Sequence, residues 1–370
     1  MAKRIYLSTP KADGYRMPAE FEPQERIYMI WPQRTDNWRM GAKPAQEAYA
    51  NVAIAISEFT PVTMLVDATQ YMNARERLPE KIKVVEMSSN DAWCRDCGPS
   101  FLINEKGEKR AVDWKFNAWG GLVDGLYFPW DYDDEIALKI CELEDIDSYR
   151  PDDFVLEGGS IHVDGKGTVL TTKMCLLSTG RNPHLTVEGI EKYLCDYLNC
   201  TNVLWLENGI DPLETNGHVD DVACFVRPGE IACIYTDDEN DPFYKVAQEN
   251  YKTLCNMTDA EGNKYKIHKV CTPKKTVLLE GAETIDRVSG TIPRENGDIC
   301  IASYLNFLIT NGGVIVPQYE DENDELALSQ LRTIFYDKKV VGVKTKEIVY
   351  GGGNIHCITQ QVPKIDKQNT

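Results

Sequence analysis

Long apolar runs are missing from this 370-residue chain, whose longest unbroken stretch has five residues, as at 27–31 and 222–226. A membrane-spanning helix needs about 20, so none is expected. Excess positive charge is missing as well: 40 Lys+Arg stand against 58 Asp+Glu, a net charge of −18. A general nucleic-acid binder needs a basic footprint, and an anionic membrane surface would repel this chain. The same balance steers cationic ligands inward, or it serves solubility alone. Cysteine is too sparse for a disulfide scaffold, with twelve residues scattered through the sequence, several inside apolar runs such as Cys224. That usage suits reduced, buried thiols in a cytoplasm. Lys3 and Arg4 lack the apolar stretch of a secretory signal behind them. No P-loop, dinucleotide glycine motif or paired-histidine zinc motif is found.

What the chain does have is a repeated order of elements. Four hairpins are expected, with strands at 101–103 and 111–114, 160–163 and 168–172, 222–226 and 231–235, and 306–309 and 314–317. Each has β-prone flanks around a glycine-bearing turn. Helical stretches follow near 130–142, 185–197, 242–257 and 320–335, and a further short strand follows each hairpin, at 154–156, 203–206, 266–270 and 339–343. A fifth unit is split between the termini, with 354–359 pairing with 27–31, then a helix at 44–59 and a strand at 62–66. A ring closed by strands from both ends removes the open sheet edge. The pattern therefore reads as one α/β domain over residues 1–370, a five-bladed propeller of ββαβ units with a polar tail from about 364. An open α/β sheet with many hairpins fits the same pattern.

Polar clusters precede three of these hairpins or fall in the split unit: residues 93–99 (WCRDCGP), 157–162 (EGGSIH), 216–220 (NGHVD) and 351–357 (GGGNIHC). The second and fourth share a Gly-Gly-x-Ile-His pattern. Glycine lets backbone approach a ligand closely. Equivalent blades would bring these clusters to one end of the axis. Cys357 is then a nucleophile, or one more buried thiol. His218 and Asp220, two apart on an expected strand, share a face. They act as a general base beside a charged-ligand anchor, or as a polar pair facing water. Glu157 orients His218 or satisfies turn N–H groups. Asp96 belongs to a shaped backbone segment or is an ordinary turn aspartate. Cys94 and Cys97 have metal-ligand spacing without a second pair, so no metal is expected. Nor do they show the helix start that a thioredoxin-like pair needs, since Gly98, Pro99 and a strand follow.

Taken together, Trp93-x-Arg95-Asp96-x-Gly98-Pro99, Asn117-Ala118-Trp119-Gly120-Gly121, Glu157-Gly158-Gly159, Gly217-His218-Val219-Asp220 and the 351–357 segment closely resemble the agmatine deiminases, members of the guanidine-modifying five-bladed propeller (pentein) superfamily. The resemblance runs from about Gly14 to Gln361. Cys94 stands where that family has an apolar or small residue. What it implies is hydrolysis of agmatine to N-carbamoylputrescine and ammonia, with no metal or organic cofactor. Cys357 would attack the guanidinium carbon, Asp96 and Asp220 would clamp it, and His218, oriented by Glu157, would move protons through a covalent thiouronium. Asp211 and Glu214 offer carboxylates for the distal ammonium. Trp93, Trp119 and Gly352 complete the binding set. The expected partner is a small cationic guanidine, with neither nucleic acid nor membrane, and the chain is expected to form a homo-oligomer. Another guanidine hydrolase or amidinotransferase acting on arginine, a non-catalytic propeller and a papain-like thiol hydrolase are the competing readings.

Overall fold

The computed structural model describes residues 2–151 and 153–365. The expected polar tail falls mostly at 366–370, outside the described residues. One sheet pattern recurs five times: an antiparallel pair, then a parallel third strand. It is built from Ser100–Asn104, Lys109–Val112 and Ser148–Tyr149, and then from Ile161–Val163, Thr168–Thr172 and Asn202–Leu206. Ala223–Arg227, Glu230–Ile234 and Lys266–Val270 follow, then Leu308–Ile309, Gly313–Gln318 and Lys339–Lys344. The last sheet joins the two ends of the chain: Thr359–Pro363 pairs antiparallel with Gln24–Ile30, which pairs parallel with Val62–Val66. Parallel neighbours need a crossover. Helices Ile136–Leu143, Val187–Leu198, Tyr244–Leu254, Asp324–Ile334 and Lys43–Ser57 supply it.

The second of these helices shows how local sequence sets an element. Thr186 caps it by accepting from the Gly189 N–H at 3.3 Å. Ile190, Leu194, Tyr197 and Leu198 form its buried stripe. Asn199, at φ 56°, ends it in the left-handed region. In the third hairpin, Gly229 turns the chain at φ 75°. The apolar residues gather in three buried clusters, one of them around Ile27–Ile30, Val62–Val66 and the Lys43–Ser57 helix.

Three local expectations are corrected. Residues 154–156 are not the third strand of their unit. That place belongs to Ser148–Tyr149, while Val155 makes only an isolated bridge to Lys115. The apolar signal there reports burial, since Phe154 packs against Trp114 and stacks on Tyr193. Residues 354–358 are not strand either. They curl into a turn, with the Ile358 N–H bonded to the Asn354 carbonyl and the Thr359 N–H to that of His356, and pairing with Gln24–Ile30 begins at Thr359. His218 and Asp220 do not share a strand, because Val219–Asp221 form a single 3₁₀ turn. Nothing in the repeat anticipates residues 277–300, an excursion between the third and fourth units closed by a short pairing of Val277–Leu278 with Ile299–Cys300.

Candidate active site

Each polar cluster stands just before the first strand of a unit, and the fold brings the clusters together. The point of convergence is Gly159. A Cβ there would stand 2.6 Å from His218 Nδ1 and 2.9 Å from both Asp220 Oδ2 and Asp96 Oδ1. Only a residue without a side chain permits this approach. The Gly159 N–H donates to Asp96 Oδ1 at 2.9 Å, and Trp119 Nε1 donates to Asp96 Oδ2 at 2.8 Å. Trp119 is thus a tether for Asp96 as well as a wall. It is held at φ 64°, beside Ala118 at 54°.

His218 is 1 % exposed, and neither ring nitrogen has a hydrogen-bond partner. Glu157 Oε2 lies 3.5 Å from Nε2, and Asp96 Oδ1 lies 3.9 Å from Nδ1. Burial opposes protonation of this ring, but Asp96, Cys175 and Glu157 hold its pKa well above the usual histidine value. Glu157 is itself buried, and burial pushes its carboxyl up. Arg181, whose Nε donates to Oε1 at 2.9 Å, and His218 bring it below the ordinary range. Burial raises the Asp96 pKa, with Asp220 and Glu157 adding to the rise and His218 opposing it.

Cys357 is held by a residue that sequence reading missed. Asn306 Oδ1 accepts from the His356 N–H at 2.9 Å and the Cys357 N–H at 3.3 Å, and its amide nitrogen stands 3.2 Å from Cys357 Sγ. A signal was present. Asn306 comes just before the first strand of the fourth unit, the position that carries polar clusters in the others. Burial pushes the Cys357 thiol well above its usual value, and Asp220, Asp221 and Asp96 push it further. Asp220 Oδ2 lies 4.0 Å from the sulfur, while Oδ1 is buried without a partner.

A cavity of about 770 Å³ opens onto Asp96 and Cys357. Trp93, Trp119, Asp211, Glu214 and Gly352 also line it, whereas Glu157, His218 and Asp220 lie beneath the lining. Trp93 is fixed through Nε1 to Asp91 at 3.0 Å and stacks on Trp38. Asp211 organises its own loop: Oδ1 accepts from the Leu213 and Glu214 N–H groups, and Oδ2 from Thr215. Glu214 therefore faces the cavity on a fixed loop. Its Oε1 pairs with Arg294 Nη1 at 2.6 Å. Gly352, at φ 108°, passes so close that a Cβ would stand 2.1 Å from Glu214 Oε2. Arg294 comes from the 277–300 excursion and also bonds Asn37 and the Gly351 carbonyl.

Among the described residues, two sets of buried donors lie close enough to converge on one ion, Glu20/His162/His356 and Glu157/Cys175/His218. In the first, the Arg95 guanidinium stands 4.0 Å from Glu20, and the donors face one another. In the second, Arg181 already occupies Glu157. Shared protons account for the His356–Glu20 contact in the first set, whereas in the second the His218 ring is left without a hydrogen-bond partner. Cys94 and Cys97 do sit on a one-turn helix, contrary to expectation. Burial nevertheless raises Cys94 to about 12 and Cys97 well above its usual value, which disfavours a reactive thiolate.

Comparison with known proteins adds to this geometry. Residues 16–363 match the model of the Porphyromonas-type peptidyl-arginine deiminases. The agmatine deiminase of Pseudomonas aeruginosa is 53 % identical over 358 residues, 96 % of this chain and 97 % of that one. A solved agmatine deiminase of Enterococcus faecalis, described as catalysing its reaction, superposes with a TM-score of 0.97 at 69 % identity, covering 98 % of this chain and all of that one. A cysteine-to-serine variant of the C. jejuni agmatine deiminase, solved with substrate bound, superposes with a TM-score of 0.79 at 26 % identity, covering 95 % and 97 %. With the match running through every element that builds the cavity floor, the chain belongs to the Porphyromonas-type peptidyl-arginine deiminase family and, within it, to the agmatine deiminases.

Proposed function

We propose that this chain hydrolyses agmatine to N-carbamoylputrescine and ammonia through a covalent thiouronium on Cys357. The observation that carries the reading is the convergence of a thiol, two carboxylates and a carboxylate-flanked imidazole around Gly159, at the floor of a cavity with a further carboxylate, Glu214, in its wall. A guanidinium is planar and always cationic. Asp96 and Asp220, each tethered through one or both oxygens, would hold it over the sulfur. Cys357 adds to the central carbon. His218, protonated at neutral pH between Asp96 and Glu157, donates to the departing ammonia. The neutral ring then takes a proton from the water that adds to the thiouronium carbon, and the carbon–sulfur bond breaks to release the ureido product. The surrounding carboxylates disfavour the Cys357 thiolate in the free protein. The bound guanidinium cancels that charge, so substrate itself promotes ionisation, the thiol proton passing to solvent because His218 already carries one. Thiolate absorbance that is the same with and without a guanidinium ligand would contradict this step.

Agmatine is favoured over arginine by Arg294. An α-carboxylate needs a free cation, and Arg294 is engaged with Glu214, Asn37 and Gly351. Glu214 retains Oε2 for an ammonium, since a carboxylate offers about four acceptor sites. The frame belongs to the same reading: a single catalytic domain over the whole chain, five ββαβ blades closed by both termini, working without cofactor as a cytoplasmic homo-oligomer. The recurrence of one sheet pattern and the shared terminal sheet support the closed ring. The test is release of ammonia and a ureido product from agmatine, run beside arginine, for wild type and Cys357→Ser. Turnover of agmatine alone, lost in the variant, is expected. Turnover of arginine at a comparable rate would overturn the substrate assignment.

A further inference from the structure

The two Gly-Gly-x-Ile-His motifs align His162 with His356 in sequence, although the first lies on a strand and the second in a turn, and the reaction uses neither. Both rings turn away from the cavity towards one carboxylate, Glu20, in the segment that precedes Gln24–Ile30. His356 Nε2 lies 2.7 Å from Glu20 Oε2, and its Nδ1 lies 2.8 Å from Asp220 Oδ2. An ionised carboxylate only accepts, so a ring between two of them carries a proton on each nitrogen. His162 differs. Its Nδ1 accepts from the Phe225 N–H at 3.3 Å, which leaves the only proton on Nε2, 3.7 Å from Glu20. Glu20 thus meets one cationic ring and one neutral ring. Its Oε1 accepts from the Ile309 N–H at 2.8 Å.

We propose that Glu20 is a positioning residue of the reaction: it holds His356 as an imidazolium, and this imidazolium fixes the Asp220 carboxylate beside Cys357 with Oδ1 free for the guanidinium. The proposal rests on the deiminase reading of the site and deepens it. Asp220 Oδ2 is taken by His356, while Oδ1 is buried and unpartnered. Orientation of the clamp is therefore set from behind. The backbone ties the same unit together: the Arg95 N–H donates to the Cys357 carbonyl at 3.1 Å, and Arg95 Nε donates to the His356 carbonyl at 3.3 Å. The charged and titratable groups against His356 are Glu20 from the N-terminal segment, Arg95 from the one-turn helix, His162 from the second unit and Asp220 from the third, with Cys357 next in the chain. Burial and, after it, Arg95 oppose the imidazolium, and the Glu20 and Asp220 carboxylates outweigh both.

The sequence has five histidines, so ¹⁵N-histidine labelling of the full-length protein resolves the rings, with His356 assigned by its loss in His356→Asn. In wild type, both His356 nitrogens should be protonated at neutral pH. In Glu20→Gln, an isosteric change, the ring should titrate at lower pH than in wild type. KM for agmatine should then gain an ionisation absent from wild type. On its acid side the ring is still an imidazolium and still holds Asp220, so KM should stay within about threefold of wild type. On its alkaline side the neutral ring no longer fixes Asp220 from behind, and KM should rise about tenfold. A wild-type ring with one protonated nitrogen near about pH 7.5 overturns the proposal, even if the variant fails to fold. A folded Glu20→Gln with a wild-type KM profile overturns it too. The spectra need no turnover, so a chain inactive on agmatine that still shows the imidazolium would defeat the deiminase reading and with it the positioning role, while leaving the ring assignment intact.

Discussion

The floor and the outer wall of the cavity are built on different principles. Every floor group comes from the short segment ahead of a unit's first strand: Asp96, Glu157, His218 with Asp220, Asn306 and Cys357. These groups are buried, and all but the His218 ring are held by hydrogen bonds. The outer wall comes from segments between units, the 208–215 loop and the 277–300 excursion. Its Leu213, Ile292 and Ile299 are half or more exposed. On the proposed reading, chemistry that cannot tolerate displacement falls to the repeating frame, and recognition of the rest of the substrate to what is inserted between repeats. Loops on a rigid scaffold are the usual place for such variation.

The largest effects should therefore come from the floor, including changes that remove no functional group. Gly159→Ala is the sharpest case. Its methyl would push on His218, Asp220 and Asp96 at once, at 2.6–2.9 Å. A 1 Å misplacement of reacting groups costs on the order of 10²-fold, so kcat should fall at least that far. His218→Asn should cost about 10²–10⁴-fold in kcat, the usual range for a general acid–base. Steady-state kinetics beside circular dichroism checks both. A folded Gly159→Ala with near-normal kcat would show that the floor tolerates displacement, and the contrast with the wall would collapse.

The same contrast explains what could be read in the sequence. The hairpins with glycine turns, four of the five crossover helices to within a few residues and the strands 62–66 and 266–270 follow from period and turn chemistry, which are local. Cys357, His218, Glu157, Asp96 and Asp220 stand out because glycine-rich polar clusters interrupt an otherwise apolar rhythm. Glu20, Asn306 and Arg181 carry no such mark. Glu20 reaches His356 across 336 positions, and Asn306 reaches Cys357 across 51. Only the packing of distant units brings Glu20 and Arg181 to the site, and the one mark Asn306 carries is its place ahead of a unit's first strand. Residues 277–300 are missed for a related reason: they have neither helical nor strand periodicity, and their pairing is two residues long.

On the wall, the expected effects are smaller and fall on binding. Glu214→Gln keeps an acceptor oxygen but removes the charge proposed to hold the ammonium, and it leaves Arg294 without its carboxylate. Both consequences disfavour a cationic tail, the first by a lost charge-assisted bond and the second by like-charge repulsion. KM for agmatine should rise about 10–100-fold, with kcat within about threefold, because the floor is untouched. A mainly kcat effect would place Glu214 with the floor and blur the division.

The smallest effect separates the wall's charge from its apolar bulk. Leu213 lines the cavity but is 80 % exposed, at the tip of the loop that Asp211 organises. Little of its surface leaves water on folding, and a strongly hydrated ammonium gains little from an apolar neighbour. Leu213→Ser should change KM and kcat by less than about twofold and leave Tm nearly unchanged, as surface substitutions do. If KM instead rose as much as in Glu214→Gln, the tail of the substrate would be held by apolar contact rather than by charge. The preference for agmatine over arginine would then need a steric origin in residues 208–215, because Arg294 and Glu214 would no longer account for it.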